Sequence, residues 1–172
     1  MEVYRYFSIL AILTVWCLNG FVISKWFSSK SLSLSLHAAA YKKAYFLFAM
    51  SLTLNAIFFY LFAQNWLIPT YSLPPTFLQL VIFALFSQLI TAWVPDVKGK
   101  LSKVHNLAAF TLGLCMPVIL LFLINSQYAS PMVKVLAIIA NVIMILEISL
   151  LLFVDKKKNH YLAVITYFNF FH

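Results

Sequence analysis

The chain has 172 residues, 64% of them hydrophobic and only 9% charged, against roughly 25% charged in an ordinary soluble domain. Its mean hydropathy is +0.96 and its formal net charge is +8. These values exclude intrinsic disorder and a conventional water-soluble enzyme. Apolar runs near 20 residues recur, which sets the class as an all-α, polytopic membrane protein.

The first expected span, 6–26, is apolar until Lys25. A cleaved signal peptide fits poorly, because Glu2 and only Arg5 precede the core and no small-residue cleavage site follows it. Trp16 stands before Cys17 where a lipoprotein signal needs a small residue. The segment 28–36 alternates Ser with Leu. A lone strand there would leave its edges unpaired, so the expectation is a loop or shallow interfacial segment. His37 and the alanines after it open a second span, 44–64.

The connection 65–75 carries Pro69, Pro74 and Pro75 and no charge. The prolines are expected to end the second helix and delay the next to Thr76, while Trp66 and Tyr71 suit the headgroup-level aromatic belt. The third span is expected over 76–94, ending where Pro95 disfavours helical geometry at Val94. A fourth follows over 104–124, with Gly113 and Pro117 spaced to bend it, since Pro117 has no N–H for the carbonyl of residue 113. The fifth covers 132–154 and stops at Asp155 and three lysines. The apolar tail 161–172 reaches about 18 Å as a helix, short of a hydrocarbon core of about 30 Å. It is expected as an interfacial or re-entrant piece or the start of a sixth span. The length leaves room for one membrane domain, 1–172, and no separate soluble one.

The basic residues set the expected orientation. Five spans place 25–43, 95–103 and 155–160 on one side, with Lys25, Lys30, Lys42, Lys43, Lys98, Lys100, Lys103 and Lys156 to Lys158; only Arg5 and Lys134 fall opposite. By the positive-inside rule the lysine loops face the cytoplasm and the N-terminus lies outside, in the plasma membrane. These lysines would attract anionic lipid headgroups. The excess positive charge therefore does not point to nucleic acid, for which no basic helix or recognition motif is present.

Glu147 is the sharpest candidate for function. It lies in an apolar run eight residues before Asp155, roughly 12 Å below the interface. A carboxylate there must face the bundle interior, be paired or be protonated. Depth counting sets Asn19 and Gln88 near its level, and Asn55 and Asn141 a turn or more deeper. The five form a candidate polar layer, read either as interhelical hydrogen bonding or as the lining of a path for protons or small solutes. His105 opens the fourth span, on the same side as His37 and His160. Its readings are a helix-start residue or a pH-sensitive, ligand-contacting group. Histidines are not matched at mid-span for a haem. HExxH, GxSxG and Cys/His zinc spacings are missing, and Cys17 and Cys115 read as small apolar residues. No cofactor or metal site and no catalytic residue is expected.

The stretch WVPDVKGKLSKVHNLAAF at 93–110 resembles a segment of the family of domain of unknown function 998, related to the Frag/DRAM-type membrane proteins. Pro95, Asp96, His105, Ala108 and Ala109 carry the match: Pro-Asp after a span, a short polar loop, then His and small residues. The resemblance covers about residues 5–155. It implies a multi-helix integral membrane protein, usually of six or more spans, with no established reaction.

The expected function is a small, non-enzymatic multi-pass protein that binds lipid or a membrane partner, with a homo-oligomer among the options. The alternatives are a small-solute or proton-coupled transporter using Glu147, and an enzyme on a lipid-like substrate with His105 and Asp96 as acid/base groups.

Overall fold

A computed structural model describes residues 2–26, 34–95 and 99–153. The described residues are mostly helical, with no strand among them. After a 3₁₀ turn, Glu2–Arg5, come α1 (Tyr6–Lys25), the short α2 (Leu34–Ala39) and α3 (Lys42–Phe62), which runs through a π turn (Ala63–Leu67) into α4 (Ile68–Tyr71). Then follow α5 (Pro75–Trp93), α6 (Lys100–Asn125) and α7 (Pro131–Phe153). Five of these stretches are long and apolar enough to cross a membrane, the α3–α4 stretch counting as one.

The second membrane-length helix does not stop in the proline-rich connection. It continues to Tyr71 with Pro69 inside it. The missing Pro69 N–H would break an α-helix, but the π turn just before it rewires the ladder, with the Ile68 N–H reaching Ala63 O. The helix ends at Ser72, which is left-handed (φ 47°), and the Leu73 N–H returns to Ile68 O at 3.1 Å. Pro75 then occupies the first turn of α5, where its missing N–H costs nothing. Of the two forms expected for the serine-leucine segment, a loop or a shallow interfacial segment, its end is not a loop: residues from Leu34 onward form α2, packed on α3 with Ala38 wholly buried. The apolar tail 161–172, Asp96, Lys98 and the lysines at 156–158 lie outside the described residues.

The packing order is a row. α1 lies against α3, α3 against α5, α5 against α6 and α6 against α7. Two cores hold the row together, one towards each end. Around Val22, Phe48, Leu52 and Ala92, α1, α2, α3 and α5 meet, with Ala44 and Ala49 wholly buried. Such small residues let backbones approach, and contact rather than water exclusion drives helix association in lipid. The second core, around Leu67, Phe77, Val81 and Ile119, joins the π turn, α5 and α6, with Phe77 edge-on to Phe122 at 5.7 Å. Helix α7 touches the row on one side and exposes Leu136, Ile139, Val142, Ile143 and Leu146 on the other. Lys25 sits at the end of α1 with its ammonium over the Phe21 and Trp26 rings, 5.2 and 5.1 Å from their centroids.

Candidate functional site

Two of the five polar side chains expected in one layer, Gln88 and Asn55, are brought together. Gln88, on the buried face of α5, donates from Nε2 to Asn55 Oδ1 at 2.8 Å and to Leu52 O at 2.9 Å. Asn55 in turn donates from Nδ2 to the Ala11 carbonyl of α1 at 3.1 Å. One amide chain thus crosses from α5 through α3 to α1. Its polarity is fixed chemically, because flipping Asn55 would set oxygen against the Ala11 carbonyl. Asn19 makes a separate tie between α1 and α3: its Oδ1 accepts the Ser51 hydroxyl at 3.0 Å, and that same hydroxyl also reaches Phe48 O at 2.8 Å. Ser51 lies one turn from Asn55 on the same face of α3. That spacing is the signal that reading the amides alone passes over. Trp93 adds a neighbouring tie, its Nε1–H donating to Thr53 Oγ1 at 3.0 Å.

Asn141 belongs to a different contact. It is 5% exposed and donates from Nδ2 to Pro117 O of α6 at 3.2 Å, while its Oδ1 is buried without a hydrogen-bond partner. Glu147, 7% exposed, lies nearer the lysine-rich end of the same helix. Helix α7 packs on α6, and Asn141 is the side chain whose bond crosses between them. The single polar layer expected from depth is therefore two groups: an amide network across α1, α3 and α5, and a seam between α6 and α7. Helix α6 itself runs unbroken through Pro117.

The motif around Pro95 folds into a clamp. Val94 is extended (φ −99°, ψ 110°), as a residue before proline must be. Its carbonyl lies 2.7 Å from His105 Nδ1. A carbonyl only accepts, so Nδ1 carries the hydrogen. His105 is 2% exposed, so it is a buried tie between the end of α5 and the first turns of α6. Between them Gly99 adopts φ 111°, ψ −150°, a region open to glycine and strained for other residues. Asp96, the motif's acidic member, lies outside the described residues, and the side chain of His37 is not described. Among the described residues no group of three or more His, Cys, Asp and Glu side chains could hold a metal ion.

The chemistry of the amide network is that of a strut. Gln88 Nε2 donates to two carbonyl oxygens of α3 and Asn55 Nδ2 to one of α1, and the chain of bonds contains no charged group. Each such bond across membrane helices is worth about 0.6 kcal/mol on average. An all-α chain with five apolar helices of crossing length is a multi-pass membrane protein. No family model, curated protein or solved structure matches the chain.

Proposed function

We propose that this is a non-enzymatic integral membrane protein that binds lipid or a membrane-embedded partner along its open row of helices. The observation that carries the reading is the row itself: each long helix packs mainly on its chain neighbours, and among the described residues α7 leaves an apolar side exposed. The committed donors of the Gln88–Asn55–Ala11 chain support cohesion rather than a conducting path. The lysine bias supports a cytoplasmic placement of Lys25, Lys42, Lys43, Lys100 and Lys103 in the plasma membrane, against anionic headgroups. Kinship with the domain of unknown function 998 family is part of the proposal and rests on Pro95, Asp96, His105, Ala108 and Ala109. Native mass spectrometry of the full chain released from lipid nanodiscs tests the reading. Retained lipid, a second copy or a bound protein supports it, and a bare monomer under all gentle conditions overturns it.

A second reading, proton-coupled transport of a small solute, is favoured by Glu147 alone, a carboxylic side chain buried in an apolar helix. Loss of a pH-driven flux in proteoliposomes on Glu147→Gln, with the fold intact, would establish it in place of the first.

A further inference from the structure

We infer that the groove where the turn after α4 meets the end of α6 binds a lipid with an uncharged, hydroxyl-bearing headgroup. The groove is open-sided, with a volume of about 560 Å³, and it lies at the end of the bundle away from the lysine-rich loops. Its foot is apolar, formed by Val118, Leu121 and Phe122. Its rim is polar and neutral, with Ser72, Asn125, Gln127 and Tyr128. From Val118 to Asn125 is seven helical residues, about 10 Å along α6. The polarity therefore changes along the helix axis, over the distance from a headgroup to the upper acyl chain.

Flanking aromatics suit a headgroup level. Trp66 and Tyr71 meet edge-on at 6.0 Å beside the groove, as interfacial aromatics do. The rim is also built rather than incidental. Ser126 donates its hydroxyl to Tyr71 O at 2.8 Å and accepts the Tyr128 N–H at 3.2 Å, tying the loop after α6 to the turn after α4. The Ser72 hydroxyl, the Gln127 amide and the Tyr128 phenol make no hydrogen bond within the described residues and are exposed. Ser72 holds a left-handed backbone that glycine would adopt without cost, and the side chain it adds is a hydroxyl on this rim.

Charge selects the occupant. The lining holds no Asp, Glu, Lys, Arg or His. No lining residue offers a cation to a phosphate or a carboxylate to choline or ethanolamine. Hydroxyls and amides donate and accept, and sugar-like hydroxyls complement both roles. A water-soluble sugar would leave the apolar foot empty, and a bare acyl chain would leave the rim unused.

This inference rests on the lipid-binding reading above, and one experiment separates the two. The full chain in nanodiscs is labelled with a monoglycosyl diacylglycerol bearing a photoreactive acyl chain. Saturable labelling of residues 71–74 and 118–128 is expected, competed about tenfold better by unlabelled glycosyl diacylglycerol than by phosphatidylglycerol. Leu121→Trp, which fills the foot, abolishes labelling. Ser72→Gly weakens it about threefold while leaving thermal stability equal or higher. Uniform, non-saturable labelling along all helices, equal competition by phosphatidylglycerol, or full labelling of Leu121→Trp overturns the inference. If such a result comes with other lipids or a protein partner still retained, the general reading stands; if the chain emerges bare, both fall.

Discussion

Gln88 Nε2 lies 2.8 Å from Asn55 Oδ1, and through this bond α5 is joined to the helix that in turn holds α1. The pair is a junction, since Gln88 also reaches Leu52 O and Asn55 also reaches Ala11 O. Replacing Gln88 by Met keeps the volume and removes the donor. We expect a loss of about 0.5–2 kcal/mol by unfolding in mixed micelles. In a double-mutant cycle with Asn55→Leu, the coupling should be about 0.6 kcal/mol. Zero coupling would show that the network contributes nothing.

Asn141 should behave in the opposite way. Its Oδ1 is buried without a partner, and its one donated bond goes to a backbone carbonyl. Asn141→Leu removes the unsatisfied oxygen together with the bond, so stability should change by less than about 1 kcal/mol in either direction. A change in lipid retention or partner recovery in this stable variant would assign Asn141 a role beyond packing.

The His105 clamp yields a spectroscopic test. Nitrogen chemical shifts of the selectively labelled chain should show the hydrogen on Nδ1. His105→Phe should cost about 1–3 kcal/mol in thermal unfolding, because the Val94 carbonyl loses its ring partner. It should also raise protease cleavage between Pro95 and Lys100. Unchanged cleavage would contradict the clamp.

Gly99→Ala should lower stability by roughly 1–3 kcal/mol through the backbone alone. An added Cβ there meets no atom within 4 Å, and φ is 111°. A melting temperature equal to that of the parent would show that the turn relaxes out of this geometry.

Orientation is checked with single cysteines at Lys100 and Tyr128, residues at opposite ends of α6 and its following loop. In sealed right-side-out vesicles an impermeant maleimide should modify Tyr128→Cys and spare Lys100→Cys, and inverted vesicles should reverse this. The opposite pattern would invert the topology.

The spans were readable from the chain because length and apolarity alone define them, and Val94 before Pro95 adopted the extended geometry its neighbour imposes. Pro69 was misread as a stop because a π turn, invisible to pattern, absorbs its missing donor. Depth counting separated Gln88 from Asn55 by about a turn, and the long glutamine side chain closes that gap. The face each residue takes was the hardest part. Lipid is as apolar as a protein core, so membrane helices carry little contrast between inside and outside. For that reason Asn141 and Glu147 could not be told apart from the Gln88 network, and His105 could not be recognised as buried. The groove beside Ser72 was invisible because its lining comes from two turns some 50 residues apart in sequence.

The row of helices also bears on how the chain is made. Each newly emerging long helix finds its main docking surface on one already synthesised: α3 on α1, α5 on α3, α6 on α5 and α7 on α6. Nothing in that succession waits for a distant downstream segment, so loop-closure costs stay small and assembly can keep pace with the ribosome. A stall or cut before Pro131 would leave a platform of four helices already docked together, and the last helix would be free to join as a separate piece.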